Sequence, residues 1–522
     1  MRTAIRVDAS TQIGSGHVVR CATLANCLKA RGAEVVFLCR ELPGHYCDWL
    51  ESRGHEVRRL PAPSEPYREF PADGSAHSAW LGVPMLQEIT EAETVLAELG
   101  PIDWLVVDHY ALDAAWESTM RLLAKKIMVI DDLADRDHDA DLLLDQNLPA
   151  DPTRYDGRIG TTCIRLIGPA FALLRPEFAR LRADLQLREN GIRRLLVFLG
   201  AGDVRNVTGK VLDAISAAGL QGVAVDVVMG QTSPHLEAVR VGCQAMSDCE
   251  IHVQTNDMAS LMAKADLMIG GAGTTTWERL CLGLPAITVS IAANQERVAI
   301  ETARCRAGVY LGGDESLAAE KIALALSRLA SRPGLVRRMG CRALAIVDGV
   351  GAERVASILL GNSDRDGELL WLRSANPVDA TFAYSVRNDP EVYRYFFSPQ
   401  PVHLADHLEW FSRAITQTGR NILIAENRSG YVGIVRLDQY EGDADVSLSL
   451  HPSQFGRKLG SRVLRLATAW AHQYLSGIRQ LTANIHPENI ASIKAFEKAG
   501  FGERYRCYSY EIEPDHTVQK CH

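Results

Sequence analysis

The sequence predicts an α/β chain with two doubly wound, parallel-sheet domains in its first 360 residues and a smaller α+β domain behind them. Three observations carry that reading. Apolar strand-like runs alternate with helix-period segments twice over, from Ala4 and again from Arg194. Several of those runs end in glycine-rich or acidic turns, the punctuation of βα units. From Leu369 the pattern changes to consecutive strands, with alternation clearest in Val446-Ser447-Leu448-Ser449-Leu450.

A length of 522 residues suits about three domains at ~150 residues each, and the composition shifts place them at 1–175, 176–362 and 368–516. The chain is 47% hydrophobic and 23% charged with net charge −8, so no broad basic surface for nucleic acid is indicated. Its 12 cysteines are scattered with no Cys-x-x-Cys pair, which reads as reduced thiols and not a disulfide framework or zinc site. The N-terminus runs directly into a strand without a signal-peptide pattern. No apolar run reaches the ~18 residues needed to span a bilayer. A cytoplasmic protein without membrane insertion is expected.

The first strand, Ala4–Val7, leads through Asp8 to the loop Gly14-Ser15-Gly16-His17 and a helix starting near Ser15. Gly14 and Gly16 let the backbone approach a ligand, and free N–H groups at a helix start attract anions. His17 lies in the first turn, where the helix dipole disfavours imidazolium; a neutral histidine facing an anionic ligand suits a general base. Packing at the helix start is the plainer alternative for His17.

Strands follow at Glu34–Cys39 and Glu56–Arg59, with a helix around His45–Arg53 between them and a proline-rich loop at Pro61–Pro71. Helix Met85–Leu99 precedes strand Asp103–Val107, which ends in Asp108-His109-Tyr110, on the same rim as His17. Helix Ala114–Lys125 and strand Ile127–Ile130 end in Asp131-Asp132. Adjacent carboxylates suggest a metal, but neighbouring strand side chains point to opposite faces, which favours hydrogen-bonding roles. Leu142–Leu144 is a further buried strand.

The second block opens with strand Leu195–Leu199, ending in Gly200-Ala201-Gly202-Asp203, and Asn206 starts a helix. Strand Val223–Met229, helix Ala259–Lys264 and strand Leu267–Ile269 lead to Gly270-Gly271-Ala272-Gly273-Thr274, where a threonine cap and backbone N–H groups suit phosphate. Glu278 lies one turn on, within reach of a ribose. Strand Pro285–Ser290 is followed by Asn294-Gln295-Glu296, and helices Ser316–Leu329 and Gly351–Leu360 close this half. Gly361–Gly367 reads as a polar linker.

Asp8-x-Ser10-x-x-x-Gly14-x-Gly16-His17, Asp108-His109-Tyr110, Gly270–Gly273 through Glu278, and Asn294-Gln295 resemble the nucleotide-sugar hydrolases of pseudaminic acid biosynthesis, whose broader relatives are GT-B glycosyltransferases. The resemblance spans residues 1–360. It implies two Rossmann-like domains holding a UDP-linked 2,4-diacetamido-2,4,6-trideoxy-altrose, hydrolysed without metal. His17 would be the base for water, with Tyr110 and Asn294 at the sugar and Glu278 on the ribose. Further substrate contacts are expected from Asp8, Gly14, Gly16, Arg20, Gly200, Gly202, Gly271, Ala272, Gly273, Thr274 and Gln295. The Gly200–Asp203 turn departs from the family's Gly-Gly-Ser/Thr-Asp, which bears on phosphate binding at position 202.

In the last domain a strand (Leu370–Arg373), a helix near Pro377–Val386, and strands at Ile422–Ala425, Tyr431–Leu437 and Asp445–Leu450 precede Gly456-Arg457-Lys458-Leu459-Gly460-Ser461. That loop opens helix Arg462–Leu475, and its amides with Arg457, Lys458 and Arg462 suit a pyrophosphate. Strand Leu481–Ile485 and helix Ala491–Lys498 complete the pattern. The loop, together with Asn489-x-x-Ser492-x-x-x-Phe496-x-x-x-Gly500-Phe501, is similar to the GNAT acetyltransferases over residues 368–513. This implies acetyl-CoA as cosubstrate, contacted by Leu450, Gly456, Arg457, Lys458, Leu459, Gly460, Ser461, Asn489 and Phe496. Lys458 replaces the usual middle glycine. Phe496 stands where many members carry a proton-donating tyrosine, and a phenyl ring cannot fill that role.

Together the resemblances imply neighbouring steps: acetylation of the 4-amino group of a UDP-amino sugar, then hydrolysis of the UDP bond. A GT-B glycosyltransferase with a sugar or lipid acceptor, or a non-catalytic nucleotide-sugar-binding module, are the alternatives the residues leave open.

Overall fold

The computed structural model describes residues 1–64, 77–183, 185, 188, 191–364, 368–440, 442–475 and 477–504. The latter part of the expected Pro61–Pro71 loop, the end of the expected linker and the last residues of the expected third domain lie outside them. The chain divides into two compact units: Met1–Asn362 with Arg373–Thr381, and Ser363–Leu372 with Phe382 onward.

The first unit holds two parallel sheets. One comprises β1 (Arg2–Val7), β2 (Glu34–Arg40), β3 (Glu56–Leu60), β4 (Ile102–Asp108), β5 (Ala124–Ile130), β6 (Leu142–Asp145) and β7 (Ile164–Ile167), in the order β3-β2-β1-β4-β5-β6-β7. The other comprises β8 (Arg194–Phe198), β9 (Ala224–Met229), β10 (Cys249–Val253), β11 (Leu267–Gly271), β12 (Ala286–Ser290) and β13 (Gly308–Gly313), in the order β10-β9-β8-β11-β12-β13. Both orders reverse direction beside the first strand, the doubly wound pattern in which ligands bind beyond the strands' carboxyl ends. Register decides what meets there. Val7 pairs with Asp108, Ile130 with Leu144 and Asp145 with Ile167, so Asp8, Asp108, Asp131 and Asp145 reach one rim.

The expected helix Ala114–Lys125 ends at Met120. Ala124 pairs with Ile102 and Lys126 with Trp104, so sheet pairing takes residues whose helix propensity is good. Strands β7, β10 and β13 and helices Leu236–Gln244 and Pro333–Leu344 are present beyond the elements expected from the sequence. Helix Gly351–Leu359 does not close the second half. It lies on helix Gly16–Lys29 of the first sheet, where Arg31 bonds Ser357 Oγ at 2.8 Å and pairs with Glu353, and the Trp104 indole N–H donates to Leu359 O at 3.0 Å. Any side chain at Gly351 would strike the backbone of Phe171 and Ala172.

The second unit is one sheet, β14 (Ser363–Asp364), β15 (Leu370–Ser374), β16 (Arg420–Asn427), β17 (Gly430–Tyr440), β18 (Asp443–Leu450) and β19 (Gln480–Thr482), in sequential order. The expected linker Gly361–Gly367 therefore contains a short strand, pairing Ser363 with Trp371. β18 runs parallel to β19 only over Asp443–Asp445. Among the described residues, Val446–Leu450 pair with no strand on that side. Helix Leu459–Tyr474 buries Val463, Leu464, Ala467 and Ala471 against the sheet. No helix among the described residues is long and apolar enough to cross a membrane.

Candidate active site

At the rim of the first sheet, Ser10 shapes the loop before His17. Its hydroxyl accepts the N–H groups of Gln12 and Ile13, its carbonyl accepts Gly14 N–H at 2.8 Å, and Gly14 turns at φ +80°. That left-handed turn is open to glycine at little cost. The chain then enters helix Gly16–Lys29 with His17 in its first turn.

His17 Nδ1 lies 2.7 Å from Asp108 Oδ1. A carboxylate only accepts, so the hydrogen sits on Nδ1 and the lone pair on Nε2. Arg20, one turn along, clamps the same carboxylate through Nη2 at 2.6 Å and Nε at 2.7 Å. Burial opposes ionisation of Asp108, but Arg20 and His17 more than offset it and hold the carboxyl well below its ordinary range. This anion fixes the tautomer of His17 and can stabilise an imidazolium formed on it. Arg20, expected at the substrate, is instead 5% exposed and spent on Asp108 and Asp132.

Tyr110 donates to Asp132 Oδ1 at 2.5 Å and stands edge-on to His17, ring centroids 4.8 Å apart. Burial first, and then Asp132, raise its phenol well above the usual range, so it remains a neutral donor. Asp8, a second expected substrate contact, is wholly buried: its carboxylate pairs with Arg6 at 2.7 Å, accepts the Arg40 N–H at 2.7 Å and faces His109. It braces the rim from below, because Arg6 continues to Glu88, which Arg40 also holds.

The adjacent pair Asp131-Asp132 shows no shared cation geometry. Asp131 pairs with Arg136 at 2.9 Å and accepts from Tyr155 and Ala134, while Asp132 accepts from Tyr110. Among the described residues, Asp226, Glu250 and His252 have ligand atoms close together, but Asp226 is already paired with Arg194 at 2.7 Å.

The rim of the second sheet supplies the glycine loop. A Cβ at Gly270 would sit 2.7 Å from Phe198 O, so the strand end tolerates only glycine. Gln295 Oε1 accepts the N–H groups of Ala272 and Ile291, tying this loop to the start of helix Ala293–Arg304; it positions the loop from behind. Thr274 is the N-cap residue of helix Thr275–Cys281 but makes no side-chain cap bond. It faces the other rim: a Cβ at Gly16 would meet Thr274 Cγ2 at 3.3 Å. Gly16 and Thr274 thus meet. Gly200 turns at φ +95°, a Cβ at Gly202 would be in ordinary contact with Val204 Cγ2 at 3.9 Å, and Asp203 caps the next helix through the N–H groups of Val207 and Thr208. Asn294 is exposed in the first turn of helix Ala293–Arg304.

Glu278 lies 3.6 Å from Arg175 Nη2. Burial pushes its carboxyl up to about 7, against the pull of Arg175. Such a group is under-bonded in the free protein and suited to accept hydroxyls.

In the second unit Gly456 (φ +76°) and Lys458 (φ +58°) bend the loop into helix Leu459–Tyr474. Lys458 therefore holds the left-handed turn that the expected middle glycine would adopt freely, at a cost of about 1–2 kcal/mol. Leu459, Gly460 and Ser461 are buried and offer backbone N–H groups, and Leu450 packs partly into the core. Arg457 is held by Gln454 (2.6 Å) and Glu368 (2.9 Å), and Arg462 by Asp364 (2.7 Å), so these cations are already paired. Asn489 caps helix Ile490–Lys498 by accepting Ser492 N–H at 3.1 Å. Phe496 is buried against Phe501, centroids 5.0 Å apart: a core ring, as its chemistry requires.

Sequence reasoning gave no role to Asp108 as the partner of His17, nor to Arg175 or Trp80, while for Asp132 it favoured hydrogen bonding, and Asp132 accepts from Tyr110. Asp108 stands at a strand end within the Asp108-His109-Tyr110 motif; Arg175 and Trp80 carry no local signal.

Comparison with known proteins agrees with this division. Residues 194–333 match the glycosyltransferase family 28 C-terminal domain, and residues 370–502 match the acetyltransferase (GNAT) domain. The chain is 34% identical over 193 residues to the spore coat polysaccharide biosynthesis protein SpsG of Bacillus subtilis, covering 37% of this chain and 57% of that one. The chain thus spans little more than half the length of that relative. It is 21% identical over 523 residues to an uncharacterized protein of Methanocaldococcus jannaschii, covering 96% of each. It is 22% identical over 302 residues to the UDP-2,4-diacetamido-2,4,6-trideoxy-beta-L-altropyranose hydrolase of Campylobacter jejuni, covering 57% of this chain and 95% of that one. Among solved structures, Acinetobacter baumannii MurG aligns over 69% of this chain and 99% of its own, with TM-score 0.49 and 15% identity. The chain carries a GT-B-like unit with a glycosyltransferase family 28-like domain, followed by a GNAT acetyltransferase domain.

Proposed function

We propose that the first unit hydrolyses UDP-2,4-diacetamido-2,4,6-trideoxy-β-L-altropyranose to UDP and free sugar, and that the second acetylates the 4-amino group of the UDP-4-amino-4,6-dideoxy-N-acetyl-altrosamine precursor with acetyl-CoA. Both steps would be cytoplasmic and would serve pseudaminic acid biosynthesis. The observation that carries the hydrolase reading is the 2.7 Å contact of His17 Nδ1 with Asp108, opposite the Gly271–Thr274 loop. Nε2 takes a proton from water as the water oxygen attacks the anomeric carbon, and the bond to the β-phosphate oxygen breaks. The charge arriving on UDP faces loop N–H groups. Tyr110 and Asn294 address the sugar, and Glu278 accepts the ribose hydroxyls. In the second unit the amine attacks the thioester carbon, the C–S bond breaks, and the thiolate takes up a proton. Acetyl-CoA lies along Val446–Leu450, beyond the paired stretch of β18 and β19, with its pyrophosphate at Gly456–Ser461. The Campylobacter hydrolase and the GNAT match support this pairing of reactions.

The match of residues 194–333 to glycosyltransferase family 28 favours one second reading, transfer of the sugar to an acceptor. Incubating the full chain with the UDP-sugar in water, without acceptor, separates the two. Stoichiometric release of UDP and reducing sugar supports hydrolysis. UDP release only after an acceptor is added makes the unit a transferase.

A further inference from the structure

Five aromatic rings meet at the His17 rim, and they are not equally covered. His17, Tyr110 and His109, the last edge-on to Trp80, are buried, at 9%, 3% and 3% exposure, whereas His77 and Trp80 keep part of their surface open. Trp80, in the short 3-10 turn Ser78–Leu81, stacks on Tyr110 with centroids 5.3 Å apart and planes 27° off parallel. It also stands edge-on to His17 at 6.1 Å. The Nδ1 side of His17 is closed by Asp108 and Arg20, so a reacting water must meet Nε2. Reacting atoms have to lie within about 3–3.5 Å of one another. An anomeric carbon placed beside that water brings its pyranose ring over the neighbouring rings, of which Trp80 is the large, part-exposed one.

From this placement we propose that Trp80 is the platform on which the pyranose ring of the nucleotide sugar stacks, which makes it a specificity-determining residue. The proposal rests on the reading of the first unit as a nucleotide-sugar site. An indole is rigid, so it offers a wide apolar face at little entropic cost. The ligand chemistry that suits it is a pyranose with a C–H-rich face and methyl-bearing substituents, such as a 6-deoxy sugar with acetamido groups. The nucleotide is served elsewhere, by Glu278 and the Gly271–Thr274 loop. Trp80 should therefore distinguish a UDP-sugar from UDP.

The test is calorimetry and tryptophan fluorescence on the full chain, in a His17→Ala background that prevents turnover. The probes are UDP, UDP-N-acetylglucosamine and the diacetamido UDP-sugar. Trp80→Ala should weaken binding of the diacetamido UDP-sugar about tenfold, the scale of a lost aromatic contact, and leave UDP within twofold. Trp80→Phe should recover most of the loss. The diacetamido UDP-sugar should quench emission beyond the effect of UDP, and the difference should vanish in Trp80→Phe. Unchanged affinity for that UDP-sugar in Trp80→Ala overturns the proposal. So does an equal loss for UDP and the UDP-sugar, which would mean that Trp80 only wedges Tyr110 in place. Failure of the hydrolase reading looks different: without the His17 substitution no UDP-sugar is cleaved, while the affinity differences persist.

Discussion

Glu278 is predicted to weaken the fold it serves. Its carboxyl titrates at about 7 against an ordinary 4.5, because burial penalises the anion more than Arg175 at 3.6 Å compensates. The folded state therefore holds this proton more tightly than the unfolded chain does. Stability from the group is complete below pH 4.5, is lost as pH rises towards about 7, and stays lost above. At ~1.4 kcal/mol per tenfold change in proton affinity, the loss is about 3 kcal/mol at most. It is an upper bound, since 15% of the side chain remains exposed. Glu278→Gln keeps the shape and removes the titration. In scanning calorimetry, the transition that UDP shifts should rise by roughly 4 °C at pH 8, taking ~2 cal/mol/K per residue for the unit, and should hardly move at pH 4.5. The same variant should bind UDP more weakly by about 1.5–3 kcal/mol, the worth of hydrogen bonds to a charged group. Gain in stability and loss of affinity must come together. A variant with the same pH dependence as wild type, or one that binds UDP equally well, refutes the argument.

Four further outcomes follow from the geometry. His17→Ala should lower hydrolysis by roughly 10²–10⁴-fold with UDP affinity nearly unchanged, and a variant retaining half of wild-type kcat would remove His17 from the chemistry. Asp108→Asn should cut kcat by a comparable ~10³–10⁴-fold, because an amide no longer dictates the histidine tautomer; a loss confined to KM would contradict that role. Hydrolysis should survive EDTA, as Asp131 and Asp132 are already engaged by Arg136, Tyr155 and Tyr110, whereas loss on chelation with recovery in Mg²⁺ would restore them as ligands. In the absence of acetyl-CoA, the full chain should show kcat/KM at least roughly a hundredfold higher for the acetylated UDP-sugar than for its 4-amino precursor; equal values would mean that acetylation does not gate hydrolysis.

Much of the rim was legible because its signals are local. A continuous apolar run buried on both faces, closed by glycine or aspartate, announces both a parallel strand and the functional end of it. That is how His17, Tyr110, the Gly270–Thr274 loop and Glu278 stand out as candidates. What pairs with them was not legible, because pairing is set by register between distant strands. Asp108 meets His17 only because Val7 lies opposite Asp108, 101 residues away. The same limit hides the partners of the cations. Arg20, Arg457 and Arg462 lie beside the glycine loops in sequence, and each is paired with a carboxylate whose position no spacing reveals. Asp8 shows the converse, a motif residue that serves the scaffold under the site.

The electrostatics of the rim bear on why an acetyltransferase and a sugar hydrolase would share one chain. Five carboxylates converge at the ends of the first sheet, an arrangement that at first sight suits a cationic amino sugar. Each is already taken: Asp8 by Arg6, Asp108 and Asp132 by Arg20, Asp131 by Arg136 and Asp145 by Arg154. An ammonium at C4 would meet a rim whose carboxylates all have arginine partners already, four arginines serving the five. It would have either to displace an arginine or to remain unpaired, and an unpaired buried cation costs several kcal/mol. A neutral acetamido group carries no such penalty and can still exchange hydrogen bonds with Tyr110 or the loop amides. On the proposed function, acetylation is therefore the step that makes the sugar fit, and the GNAT unit prepares the substrate that the His17 site accepts.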